Sequence, residues 1–380
     1  MVESNITKQN IKNMERTLSY KRPTSTLLFK ESEIGRVRAI CKGYDGFFYL
    51  VNDTNGLIEK HESITSNDEP LETGYEWNVQ NLGLPIRIVH LPEGLIVVTT
   101  IGETGSRQGR IYHLPTINST PNLVYETPQG EDTYFVSTFG FDFYTNGLHS
   151  IILVGAYGRN SVERDLLLSV DGGQTFDVVK KSSNNDPDPN INSHWHDVAV
   201  DVYNGFLWAS EGDGSLNRGV HFSDDLGETW HTLAKGVAQP TSILPFPKKT
   251  VFGNDTEYVG LRYFHRPSIM NDYENLEIEP LYKIMPNRTG SLYYAQSPVI
   301  DGNEAYLTFS VANQQQPSLI LGTGDFGESW YSLSISYTDD PIVSRPTLFW
   351  GIDDKYIYAL GTGVGAVGNQ VLYAKKPIWI

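Results

Sequence analysis

Ser223-Asp224-Asp225-Leu226-Gly227-Glu228-Thr229-Trp230 is the stretch on which the reading of this chain turns. It has the form Ser-x-Asp-x-Gly-x-Thr-Trp, and two other stretches share the frame. They are Ser169-Val170-Asp171-Gly172-Gly173-Gln174-Thr175-Phe176 and Thr323-Gly324-Asp325-Phe326-Gly327-Glu328-Ser329-Trp330. Each residue type suits a tight hairpin between two strands. An Asp carboxylate accepts hydrogen bonds from backbone N–H groups a few residues on. Gly at the fifth place reaches a positive φ that other residues adopt only at a cost. The flanking hydroxyls bond the same carboxylate, and the closing aromatic is a large apolar anchor beneath the turn. Asp171, Gly173, Asp225, Gly227, Trp230, Asp325, Gly327 and Trp330 are therefore expected to be structural.

The three copies resemble the Asp-box, or BNR repeat, of sialidase-like β-propellers. The resemblance implies an all-β fold with the boxes on the outer rim, away from the ligand face. Spacing agrees with it: Asp171 and Asp225 are 54 residues apart, and Asp225 and Asp325 are 100 apart, close to two such steps. A repeat of about 40–50 residues is the period of a propeller blade. The expected fold is a single propeller, seven-bladed with six as the alternative, and one blade between Asp225 and Asp325 without a box.

Residues 1–23 are expected to form an N-terminal arm and residues 24–380 the propeller. The strand pattern places the ring-closing strand at Thr24–Phe29, the first strand of blade three at Val136–Phe141, and a last strand at Pro377–Ile380. In blade five it places a strand at Glu257–Phe264.

Composition narrows the function. The chain has 380 residues with 35 Gly and 12% aromatics, which suits many short strands joined by turns. A formal net charge of −16 argues against a nucleic-acid binder that neutralises phosphates. Cys41 is the single cysteine, so no internal disulfide forms. No apolar run is long enough to insert into a membrane as a spanning helix. Residues 1–22 lack the apolar segment of a signal peptide and carry a basic excess from Lys8, Lys12, Arg16, Lys21 and Arg22. They are expected to be either a flexible tail or an arm that anchors to other virion proteins.

The most distinctive functional segment is Ser193-His194-Trp195-His196-Asp197-Val198-Ala199-Val200-Asp201, followed by Glu211-Gly212-Asp213-Gly214. Strand alternation sends His194 and His196 to one side, and Trp195 and Asp197 to the other. His194, His196, Glu211 and Asp213 would then converge at the channel mouth, to bind sugar hydroxyls, hold a metal, or act as acid and base. The alternative is that they satisfy backbone groups in a crowded centre. Glu211 and Asp213 are the candidate catalytic pair of a glycoside hydrolase. Tyr157, Trp195, Tyr263, His265 and Phe349 are candidate aromatic walls for a sugar.

No cofactor is expected. The loop Asp186-Pro187-Asp188-Pro189-Asn190-Ile191-Asn192 spaces oxygen ligands as calcium loops do, yet reads as a Pro-rich turn. Sialidases carry a Phe/Tyr-Arg-Ile-Pro motif, and Leu84-Pro85-Ile86-Arg87-Ile88 departs from it. Sialidase activity is therefore not expected.

The leading expectation is glycan or cell-surface receptor recognition, as a virion attachment protein at the virion surface or released outside the cell. The alternatives are a glycoside hydrolase and a cytoplasmic scaffold propeller that binds protein partners.

Overall fold

The computed structural model describes residues 21–25, 27–66, 68–137, 140–158, 162–183, 194–212, 219–235, 239–254, 260–267, 276, 278–283, 293–311, 319–335, 345–362 and 369–380. Runs of Val, Ile, Leu, Phe and Tyr between Gly-, Asn- and Asp-rich turns give short antiparallel strands, with one helical turn among the described residues, at Val79–Leu82. Four sheets have four strands each, in chain order from the inside outward. They run from Phe141–Thr145 to Asp177–Lys181, His194–Val200 to His231–Lys235, Pro240–Pro245 to Glu279–Lys283, and Tyr293–Asp301 to Tyr331–Ile335. These are blades three to six. Blade two holds Leu84–Leu91, Gly94–Ile101, Gln108–Leu114 and Asn122–Glu126.

The remaining sheet has seven strands and joins the last blade to the first. Its hinge is the long strand Lys30–Lys42. Lys30, Glu31, Arg36 and Val37 pair with Asn369–Lys375, and Val37 to Lys42 pair with Phe48–Asn52. One strand is thus the outermost of blade seven and the innermost of blade one. Burial agrees: seven apolar clusters appear among the described residues, each shared by two neighbouring blades. In blade four, Leu207 and Ala209 face blade three while Trp208 faces blade five. Both faces of each sheet are therefore buried, which is what a propeller requires of its blades.

Several sequence expectations need correction. Thr24–Phe29 is not the closing strand, because its place beside Asn369–Lys375 is taken by Lys30–Val37. Leu27 is instead buried between blades six and seven, and its N–H donates to Leu333 O. Pro377–Ile380 joins no blade as a strand; it lies antiparallel to Arg22–Thr24, where Arg22 and Ile380 exchange both backbone hydrogen bonds and Thr24 N donates to Ile378 O. Blade three starts at Phe141 instead of Val136, since Thr133–Tyr134 is drawn into the sheet of blade two. Blade five carries separate strands at Lys249–Asn254 and Gly260–His265.

All three boxes join the third and fourth strands of their blades and share one bonding scheme. Ser223 Oγ donates to Asp225 Oδ1 at 2.8 Å and accepts from Gly227 N at 2.8 Å. Thr229 N and Oγ1 donate to the two oxygens of Asp225 at 2.8 and 2.6 Å. Asp171 and Asp325 repeat this with Ser169, Thr175, Thr323 and Ser329. Gly173, Gly227 and Gly327 have φ of 87°, 88° and 76°. A methyl group on Gly173 would lie 2.2 Å from Ile96 of blade two, and one on Gly327 would lie 2.7 Å from Phe246 of blade five. The box glycines thus serve the turn and the docking of each blade on the one before it.

Hydrogen bonds from Thr229 hold the Asp225 carboxyl down at about 2, from an ordinary 3.8. A depressed folded value means stability that is present above pH 3.8 and lost as pH falls through about 2. The denaturation midpoint of Asp225→Asn should therefore lie below that of the parent at neutral pH. The gap should close as pH falls toward 2, which acid titration of both proteins measures.

Candidate functional site

In each blade the inner strand and the third strand run the same way. The boxes end the third strands, so His194, at the start of its inner strand, lies at the opposite end of the ring. Here a ladder of side chains crosses three blades. Tyr157–Gly158 pairs with Thr133–Tyr134, extending the sheet of blade two over blade three. The Arg107 guanidinium lies 3.6 Å from the centre of the Tyr134 ring. The rings of Tyr134 and Tyr157 are 5.6 Å apart, those of Tyr157 and His194 are 3.8 Å apart, and those of His194 and His196 are 4.8 Å apart. Arg107 and Tyr157 are half-buried, whereas Tyr134, His194 and His196 are buried beneath them.

Asp132 fixes the cationic end. Arg107 Nε and Nη2 each donate to one Asp132 oxygen at 3.0 Å, in the planar two-bond geometry that suits Arg and carboxylate. Arg107 N and Gly105 N donate to the same carboxylate. The bonds from Arg107 hold the Asp132 carboxyl below its usual value.

His194 and His196 lie together as the alternation predicts, but Trp195 and Asp197 part. A β-bulge falls between Trp195 and Asp197 in the pairing with Leu207–Gly212, and an extra residue reverses the faces beyond it. Trp195 has no exposed surface and packs between blades three and four, where Nε1 donates to Arg164 O at 2.9 Å. It is not a ligand wall. Asp197 turns toward blade five and accepts from Ile243 N at 2.7 Å. Gly212 is opposite His194, and a methyl group there would lie 2.0 Å from the His196 ring. Glycine leaves the space that His196 fills.

Glu211 is fully buried rather than at an open mouth. It accepts from Ser183 N and Ser183 Oγ, and its Oε2 lies 3.3 Å from His221 Nε2. It ties blade four to the end of blade three. Asp213 and the loop 186–192 lie outside the described residues, so the expected pairing of Glu211 with Asp213 finds no measure here. Tyr263 and His265 stand at the Asp-box end, where Tyr263 Oη donates to Glu279 and Lys249 lies over its ring. The structure does not bring them to His194. Phe349 is buried between blades six and seven.

Sequence reasoning missed Arg107, Asp132 and Tyr134. Arg107 and Asp132 are 25 residues apart, and only the added strand pair at Thr133–Tyr134 joins them to Tyr157. A Gly-Glu-Thr-Gly-Ser-Arg loop with a distant Asp carries no period that would have pointed to this.

No protein-family model matches this chain, and no curated protein matches it. Solved structures do. A virginiamycin B lyase from Staphylococcus aureus is 12% identical with a TM-score of 0.51, over 92% of this chain and 99% of that one. A periplasmic gluconolactonase from Pseudomonas aeruginosa is 11% identical with a TM-score of 0.52, over 95% and 99%. A sialidase from Trypanosoma rangeli is 12% identical with a TM-score of 0.45, over 93% of this chain and 60% of that one. Propellers with such different activities share the architecture alone, and the fold of this chain is a β-propeller.

Proposed function

We propose that this propeller recognises glycans of a cell surface at the end where the ladder lies. The observation that carries the proposal is the continuous ladder of ring contacts from Arg107 through Tyr134, Tyr157 and His194 to His196. A half-buried Tyr edge on a rigid aromatic support offers an apolar face for a sugar ring. A guanidinium held by a carboxylate beside it offers donors for hydroxyl or acidic groups. Burial of Glu211, with three partners already on its carboxylate, favours binding over hydrolysis. Display on a virion surface, with residues 1–22 as an anchoring arm, belongs to the proposal on the sequence alone.

The test is a panel of surface polysaccharides scored for bound protein and for released reducing ends in the same wells. Tyr157→Ala should weaken binding by about tenfold or more, while the lost ring contacts with Tyr134 and His194 should cost only about 1–2 kcal/mol of folding free energy. Equal binding by the parent, Tyr157→Ala and Arg107→Ala would remove this end from the reading. Release of reducing ends that Glu211→Gln abolishes would make the protein a glycoside hydrolase. No binding to any polysaccharide would leave the protein-partner scaffold.

A further inference from the structure

The ring encloses a cavity of about 490 Å³ that receives residues from the inner strands of all seven blades. It lies at the Asp-box end, away from the ladder; Val202, 53% exposed, and Gly302 stand at its rim. Ile, Val and Phe make up half of the residues that line it. Three charged side chains interrupt that wall in its depth: Arg87 from blade two, Asp142 from blade three and Asp197 from blade four. Each carboxylate is anchored by a backbone donor of the following blade. Asp142 accepts from Val200 N at 2.8 Å and Asp197 from Ile243 N at 2.7 Å. At the mouth, Lys42 is already paired with Asp353 at 3.1 Å, and Tyr203 donates to Gly302 O.

One guanidinium therefore faces two carboxylates inside an apolar tube. We propose that this cavity binds a small organic ammonium compound, its apolar body against the wall and its cationic head beside Asp197 and Asp142. The ammonium takes the place of the proton that burial holds on Asp197, so that Arg87 and the ligand together balance the two carboxylates. An anionic ligand could make no such exchange and would meet the carboxylate of Asp142. This site stands apart from the glycan proposal, and either reading can fail alone.

Protonation gives the site a pH signature. Burial pushes Asp197 up to about 8, with Asp142 adding to the rise, and burial pushes Asp142 up to about 6. A bound cation favours the ionised carboxylate, so below about pH 8 binding must expel a proton from Asp197.

The experiment is calorimetric titration of the intact chain with n-hexylammonium, n-hexanol and n-hexanoate. Hexylammonium should bind at least about tenfold more tightly than hexanol, and hexanoate most weakly. Hexylammonium affinity should rise by up to about tenfold per pH unit between roughly pH 6 and 8, with proton release seen in buffers of different ionisation heat. In Asp197→Asn, which keeps an acceptor for Ile243 N, the preference over hexanol should disappear while hexanol still binds. Hexanoate binding as tightly as hexylammonium would overturn the proposal. So would equal affinity for hexylammonium and hexanol, a flat or falling pH profile, or no binding of any probe. The comparison of probes on the parent protein stands even if Asp197→Asn does not fold.

Discussion

Trp195→Ala is expected to cost about 3–5 kcal/mol of folding free energy, the range for truncating a buried Trp. The indole has no exposed surface and fills the seam between Leu153, Leu166 and Leu168 of blade three and Leu207 and Ala209 of blade four. Its Nε1 donor to Arg164 O is lost as well, leaving a buried carbonyl without that partner. Urea denaturation of the two proteins measures the difference. Trp195→Phe should recover most of it, because the ring volume returns and only the hydrogen bond stays missing. A midpoint shift below about 0.5 kcal/mol in Trp195→Ala would show that the residue does not anchor this seam. Tyr157 differs in degree: truncating Trp195 should open the blade seam, whereas truncating Tyr157 should cost mainly binding and only the ring contacts with Tyr134 and His194.

Asp201→Ala should destabilise by a similar amount, about 3–5 kcal/mol, by stranding a buried charge. Asp201 is fully buried where the inner strand of blade four turns back, and Arg266 Nη2 from blade five reaches its Oδ2 at 2.7 Å. Trp208 Nε1 donates to the same oxygen at 3.0 Å, and Tyr203 N donates to Oδ1. Removal of the carboxylate leaves the Arg266 guanidinium and the indole donor buried together. A second substitution, Arg266→Met, should restore much of the loss, since the apolar pair removes the uncompensated charge. Chemical denaturation of the two single variants and the double variant closes the cycle. If the double variant is as unstable as the two single losses added, Arg266 and Asp201 act independently and this account fails.

The fold was legible because its signals are local. The frame shared by Asp171, Asp225 and Asp325 binds its own backbone within four residues, so its chemistry is written in consecutive letters. Blade four was similarly readable, since its strands are short, apolar and bounded by turn residues. The ring closure was not legible. Lys30-Glu31-Ser32-Glu33 is polar and looks like a loop, yet it forms an outer strand whose partners stand more than 300 residues away. The exchange of Trp195 and Asp197 between faces was hidden for a different reason. One bulged residue leaves no mark on composition, but it reverses every side chain after it. His194 and His196 could be found as a pair, whereas Arg107, Asp132 and Tyr134 depended on a two-residue strand added to a neighbouring sheet.

The sharing of Lys30–Lys42 between the first and last blades also has a consequence for how the chain is made. Blades two to six are assembled from strands close in sequence and can form while the ribosome is still translating the later part of the chain. Blade one cannot find its final neighbour until Asn369–Lys375 has emerged, and Gln370 Nε2 reaches back to Ser32 O at 2.9 Å. At about 5–20 residues per second, the nascent protein spends on the order of tens of seconds with that early edge unpaired. Long-range pairing of this kind is slow in its own right. The earliest of the described strands is thus the last to be satisfied, and in that interval its edge is open to another chain.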